Sequence, residues 1–343
     1  MCEDYCRFRL ILKTHFFVAN FIALRALTLI PQPVLTYSRL KETATLRQTF
    51  LRLSPGLILI AAILIVLCTA TALAQSGGSQ PDSVQQQNAT EPDLINADRP
   101  GIADGSTVVG PKTFQIESGI QAEFRRDGDS REHTLFVPTL LRFGIDRHWE
   151  VRLEGNTYTR VTSFQSTVTT NETTGFAPLS LGFKYHIFDS NQFSLGTIVR
   201  IFPEWGSKEF RTQHATGDIR LAADWNFAPH LKLSLNPNIG VARYEDDQGR
   251  LFTAGLFAVT LNSNPTKKLN PFIDLGVQWP EEKNGQASAI LDGGLAYIIG
   301  RNLQVDAAIG TRVHGETGPQ PFIGFGISWR ARSRQRSTHE NSP

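Results

Sequence analysis

The sequence predicts an all-β fold: a transmembrane antiparallel β-barrel of about twelve strands, preceded by a signal peptide and a disordered linker. Three observations predict it. Between Lys112 and Arg330, segment after segment alternates apolar and polar residues, and nearly every charge falls on one parity. The connections between those segments alternate short and long. One short apolar run, near the N-terminus, ends in small residues.

In chain order, residues 1–54 read either as an extended leader or as sequence upstream of the true translation start, because a signal peptide rarely begins fifty residues before its apolar core. Residues 55–74 hold the signal core. Arg47 and Arg52 precede Leu57–Leu67, and Ala72-Leu73-Ala74 supplies small residues at −3 and −1, which places cleavage after Ala74. The competing reading is a membrane anchor over Leu57–Ala74, but that run is marginal for a bilayer about 30 Å thick. Leu67 stands where a lipoprotein site at Cys68 wants Gly or Ala. Residues 75–97, rich in Ser, Gly, Gln, Asn and Pro, read as a disordered linker.

The barrel occupies 98–330, with strands expected near 112–125, 132–143, 149–160, 177–187, 193–202, 215–227, 231–243, 251–262, 269–279, 287–299, 303–314 and 320–330. Residues 331–343 form a polar, basic tail. The first strand shows the pattern plainly. Phe114, Ile116, Ser118, Ile120, Ala122 and Phe124 alternate with Gln115, Glu117, Gly119, Gln121, Glu123 and Arg125. Successive strand residues face opposite sides, so one face is greasy and the other charged. The chain carries no helix pattern to cover the greasy face, and a barrel with lipid outside and a polar lumen satisfies the pattern directly. The strand over 251–262 is the weak case, since both its parities are mainly apolar.

Short connections at Asp146–His148, Asp189–Asn191, Pro229-His230, Ser263–Pro265 and Arg301-Asn302 alternate with longer ones, notably Val161–Phe176 and Pro203–His214. That puts the N-terminus on a short-turn, periplasmic rim. Trp149, Trp225, Trp279 and Trp329 fall at or near strand ends, where amphipathic rings meet headgroups.

Lumen parity carries nine acids (Glu117, Glu123, Glu150, Glu154, Asp218, Asp224, Asp274, Asp292, Asp306) and nine bases (Arg125, Arg142, Arg152, Arg160, Lys184, Arg200, Arg220, Lys232, Arg312). Among these, Glu117, Arg142, Arg152, Glu154, Arg200, Arg220, Asp224, Asp292, Asp306 and Arg312 are the candidates for lining a solute path. The same charges fit a structural network of ion pairs that closes most of the bore. In that network Arg152, Arg220 and Arg312 share the inner wall with acids on neighbouring strands, such as Glu117, Asp224 and Asp306. Balanced charge argues against strong ion selectivity.

The net charge of +2 divides into +5 over residues 1–74 and −3 over the rest, with no basic stripe, which excludes a nucleic-acid binder. Cys2, Cys6 and Cys68 all precede residue 75, so the remainder has no thiol for a disulfide, a zinc site or a nucleophile. Phosphate-loop, dinucleotide, zinc-protease and serine-hydrolase motifs are absent. Of the eight histidines, His186 and His314 fall on lumen parity, and local spacing pairs neither with a serine. The chain therefore reads as no enzyme, with no cofactor and no metal.

The barrel opens with Asp98-Arg99-Pro100-Gly101-Ile102-Ala103-Asp104, a Gly110-Pro111 turn, and the strand Gln115-Ile116-Glu117-Ser118-Gly119. This D-R-P-G-x-x-D lead-in and Q-I-E-x-G strand resemble the outer-membrane transporter family named for a meta-pathway of phenol degradation. Asp98, Arg99, Pro100, Asp104, Gln115, Glu117 and Gly119 match, and the likeness extends over about 98–330. The resemblance implies an outer-membrane barrel that passes small aromatic or hydrophobic solutes. The chain departs from the pattern at its end, where Trp329 is followed by a polar tail in place of a terminal aromatic residue.

The resulting expectation is passive passage of small solutes, with the lipid bilayer and the barrel insertion machinery as partners. The alternative is a structural or adhesive barrel with a plugged bore and no transport. A soluble β-sandwich ranks third.

Overall fold

The computed structural model describes residues 93–165, 168–315 and 318–332. Thirteen strands follow one another in antiparallel order: β1 (Thr113–Asp127), β2 (Ser130–Gly144), β3 (Trp149–Gln165), β4 (Val168–Gly175), β5 (Ser180–Asp189), β6 (Phe193–Phe202), β7 (Thr216–Ala228), β8 (Leu233–Glu245), β9 (Leu251–Ser263), β10 (Leu269–Trp279), β11 (Ser288–Ile299), β12 (Leu303–His314) and β13 (Pro321–Arg332). β1 pairs with β2 on one side and β13 on the other, so the sheet closes into a barrel. β4 pairs with the upper part of β3 and β5 with the lower part. Together they make one stave interrupted at 176–179, and the barrel has twelve staves, as the alternating pattern predicts.

The alternation decides which way each strand faces. In β12, Gln304, Asp306 and Arg312 are buried, while Ile309 is 66% exposed on the outer wall. Leu153 aligns with Leu141 on one side and Leu181 on the other, building a continuous apolar band outward. Glu154 sits one residue along and turns inward. Trp149, Trp225 and Trp329 lie outward near the short-turn rim, and Trp279 lies outward at the opposite rim. Among the described residues no helix is long and apolar enough to cross a membrane, and crossing by strands needs none.

Five local expectations are corrected. The segment 161–176, expected as a loop, continues β3 and turns back as β4. Its Thr-rich, β-branched composition suits strands, and the hairpin projects the wall beyond the band. Arg160, expected in the lumen, points outward and pairs with Glu172 at 2.6 Å. The register slips between Val137 and Pro138, so β3 carries one extra residue, and a one-residue slip reverses every later side chain. Lys232, also expected in the lumen, occupies the β7–β8 turn at φ 56° and donates to the Pro265 carbonyl. Finally, Asp93–Ala97 of the expected linker are placed against the barrel. Ile95 is 3% exposed and its amide donates to Arg301 O, and Arg330 bonds Asp93. β13 likewise runs two residues into the expected tail. The leader, the signal core, the three cysteines and residues 75–92 lie outside the described residues.

Candidate functional site: a plugged bore and an aromatic cavity

Residues 93–112 do not run along the outside of the barrel. They enter the bore from the short-turn rim, reach its middle and return to the rim where β1 begins. An irregular segment at membrane depth must find partners for its amides, and here the inward side chains of the wall accept them. The amide of Arg99 donates to Glu117 (2.9 Å), Ile102 to Asp274 (2.8 Å), Asp104 to Asn238 (3.0 Å), Ser106 to Asp224 (2.9 Å) and Val109 to Glu150 (2.9 Å). Ser106 Oγ also bonds Ser194 and Asp224.

Charge adds to this. Asp98 receives three wall cations: Arg152 at 2.7 Å, Lys184 at 2.9 Å and Arg142 at 3.4 Å. Burial alone would raise the Asp98 carboxyl. Arg142, Lys184 and Arg152 outweigh it and hold this group, which lies in the plug and not in a spanning strand, well below the usual carboxylate range. Asp104 meets Arg152 at 2.8 Å and Arg220 at 3.4 Å. Arg99 reaches across β13 to β12 and pairs with Asp306 at 3.1 Å.

The guanidinium of Arg99 lies over Gly119 and Gly326. A Cβ at Gly119 would stand 2.7 Å from Arg99 Nη2, and one at Gly326 would stand 2.5 Å from Arg99 Nε. Every residue of the sequence signature for which the structure records a polar contact thus serves the plug: Asp98, Arg99, Asp104, Gln115 (through Asn96 O, 2.9 Å) and Glu117. Gly119 leaves the room they need.

The remaining wall charges complete a chain of ion pairs. Arg142 is bidentate on Glu150 (2.7 and 2.9 Å) and touches Glu117 (3.0 Å). Arg200 bridges Glu154 (2.7 Å) and Asp218 (2.8 Å), and Arg220 also holds Asp218 (3.0 Å). So Glu117, Arg142, Arg152, Glu154, Arg200 and Arg220 come together around the plug. Asp224 and Asp306 reach it through Ser106 and Arg99. Arg312 stands apart near the long-loop rim, paired with Glu281 at 2.6 Å. Asp292 faces Asp274 across β10 and β11. The acids that meet Arg152, Arg220 and Arg312 include Asp98 and Asp104 of the plug, Asp218 of the wall and Glu281 of a loop.

On the long-loop side of the plug lies a cavity of about 290 Å³. Its floor is the plug, with Asp98, Ile102 and Asp104, and its polar wall includes Arg152, Arg200 and Arg220. Its apolar wall includes Phe202, Phe210, Tyr244 and Phe322, which sequence reasoning missed. Phe202, Tyr244 and Phe322 sit on the inward, polar parity of their strands, and an aromatic residue on that parity was the available signal. Phe210 comes from the β6–β7 loop (203–215), which folds over the bore. Phe210 is 3% exposed, Ser207 exchanges hydrogen bonds with Phe176, and Gln213 and His214 donate to Glu245. The plug also explains the weak alternation of β9. Its inward Leu256 and Ala258 pack with plug residues Ala103 and Ile102, so that stretch of wall meets apolar plug instead of water.

Among the described residues no group of three or more His, Cys, Asp or Glu side chains is placed to hold a metal. His186 is buried against Asp189 and Ser106 O, and His314 is exposed at the rim.

The fold resembles the COG4313 outer membrane channel from Pseudomonas putida F1, with TM-score 0.52 and 9% identity over 66% of this chain and 98% of that one. More distant likenesses include the KdgM porin in complex with disordered oligogalacturonate (TM-score 0.41, 11% identity, 64% and 99% covered) and the CymD monoaromatic hydrocarbon channel (TM-score 0.36, 8% identity, 66% and 91% covered). No curated protein matches the sequence. The family model described as "Putative MetA-pathway of phenol degradation" matches residues 97–331, which run from within the plug to the last strand of the barrel, and the chain belongs to that family.

Proposed function

We propose that this chain is an outer-membrane channel for the passive passage of small aromatic or hydrophobic solutes. One observation carries the reading: the bore of a closed barrel contains an aromatic-walled cavity of about 290 Å³ bounded by a separable segment of chain. An apolar cavity of about 150 Å³ already accepts a benzene ring, and passage requires no chemistry from the wall. The export route belongs to the same reading: a leader cleaved after Ala74, a linker that hands residues 93–112 to the bore, and insertion by the barrel machinery.

The plug itself favours a second reading, a structural or adhesive barrel that transports nothing. Vesicle swelling separates the two. Vesicles containing the refolded protein are expected to take up a small aromatic alcohol faster than protein-free vesicles, and faster still after residues 94–108 are replaced by a short Gly/Ser linker. If neither form exceeds the protein-free rate, the channel reading is wrong and the structural one stands.

A further inference from the structure

We propose that Arg142, Arg152 and Lys184 form a carboxylate-binding site that the plug's own Asp98 fills at rest and that a small aromatic carboxylate takes in exchange. The proposal names the solute class for the channel and rests on that reading only for the solute's route.

Three observations carry it. First, the site is built. Three cations no more than 2% exposed converge on one carboxylate oxygen, at 2.7, 2.9 and 3.4 Å. Carboxylate recognition by guanidinium and ammonium groups is strong in such a dry setting. Second, the barrel does not complete this site from its own wall. Each hydrogen bond of Lys184 ends on the plug, at Asp98 Oδ1, Asp98 Oδ2 and Thr107 O. The two short ion pairs of Arg152 end on Asp98 and Asp104, while its wall partners Glu154 and Glu150 stand farther off at 3.5 and 3.9 Å. If the plug withdraws, both cations lose their nearest counter-charge, and an unpaired buried charge is strongly unfavourable. An incoming carboxylate removes that penalty.

Third, the place of exchange opens on the cavity. Asp98 and Arg152 line it together with Phe202, Phe210 and Tyr244. A ring lying against those side chains can present a carboxylate where Asp98 now sits. The exchange of one carboxylate for another conserves charge. A neutral aromatic solute fits the cavity equally well but leaves the three cations as they were.

The test is calorimetric titration of the refolded protein in micelles with sodium benzoate and with benzamide. Asp98→Ala is expected to bind benzoate at least about tenfold more tightly than wild type, about 1.4 kcal/mol, with benzamide unchanged. Adding Lys184→Met to Asp98→Ala is expected to return benzoate to the wild-type value. No gain for benzoate, or an equal gain for benzamide, overturns the proposal. If Asp98→Ala does not fold, as judged by its heat-dependent gel mobility, the wild-type protein decides. Benzoate must accelerate amide exchange of residues 98–109 and benzamide must not, and equal exchange in both overturns the proposal. Vesicle swelling on the same preparations reports passage separately. Benzoate binding in this pattern without any swelling refutes the channel and leaves the site standing, whereas swelling without the binding pattern refutes the site alone.

Discussion

Lys184→Met tests the plug most cleanly, because it removes a charge without removing bulk. Lys184 is 0% exposed, and every hydrogen bond it makes ends on the plug, two of them on Asp98. Methionine fills nearly the same volume as the lysine stem, so the inner wall keeps its shape. Asp98 keeps Arg152 at 2.7 Å and Arg142 at 3.4 Å, so the loss is one charged partner of three. A hydrogen bond to a charged group contributes about 1.5–3 kcal/mol, which corresponds to roughly 10- to 100-fold in the population of the undocked plug. Amide hydrogen exchange read by mass spectrometry measures that population directly, since local opening exposes the amides that the wall now accepts. A peptide covering 98–109 contains the donors of Arg99, Ile102, Asp104, Ser106 and Val109. Its exchange is expected to rise by that factor while peptides from β9 to β12 stay at wild-type rates. Wild-type exchange in the plug peptide would refute the claim that Lys184 holds it. Equal acceleration throughout the barrel would mean that plug and wall open as one unit.

Three further expectations follow from the same geometry. Ile309→Arg places a cation on the lipid face at a position 66% exposed on the outer wall, and should cost about 2–4 kcal/mol in folding into lipid vesicles by urea titration. Asp306→Asn on the inner face should leave insertion intact and loosen only Arg99, and similar midpoints for both variants would mean the facing is wrong. Gly326→Val should displace Arg99, whose Nε lies 2.5 Å from the new Cβ, and so accelerate exchange of the plug peptide while the barrel keeps its heat-dependent mobility. Because Asp98 is held below its ordinary pKa when docked, docking draws its full contribution above the undocked value near about 3.9 and loses it as pH falls through the docked value. Exchange corrected for intrinsic rates should therefore be flat from neutral pH to about 5 and rise only below about 4. A rise near pH 6 would assign control of the plug to another group.

Strand count, closure and facing were legible because lipid imposes a rule that acts on single residues: a charge on the outer parity is costly within the bilayer core, so the pattern survives without any partner being known. The errors arose where a local event resets that rule. The extra residue in β3 reverses Arg160, and nothing in Gly155–Tyr158 announces it. Lys232 continues the parity of β8 on paper, but the turn at Pro229–Leu231 ends the pattern before it. The plug was written in the sequence as a signature, yet its meaning depended on contacts between residues far apart in the chain. Asp98 meets Lys184 across 86 positions and Arg99 meets Asp306 across 207. Spacing within one segment carries no information about such pairs. The inward apolar row of β9 was the one trace of a plug that alternation did show, since a wall facing water has no reason to be apolar on its inner side.

Counting lumen acids against lumen bases treats the wall as its own partner, and the structure shows why that count misleads. Four wall acids, Glu117, Glu150, Asp224 and Asp274, accept backbone amides of the plug, and Asn238 accepts a fifth. Those acids are therefore partly committed to neutral donors, while Arg152 and Lys184 wait on acids that the plug supplies. Removing the plug would free the acids and strand the bases in the same step. At about 1 kcal/mol net for each amide bond exchanged for water, the five together come to about 5 kcal/mol, before any ion pair is counted. That is comparable with the stability of a whole small domain. An empty bore of this kind is closed nearly all the time. In the proposed channel, passage depends on a solute that replaces plug contacts as it enters, and on the proposed exchange the contact a solute can replace is the single carboxylate of Asp98.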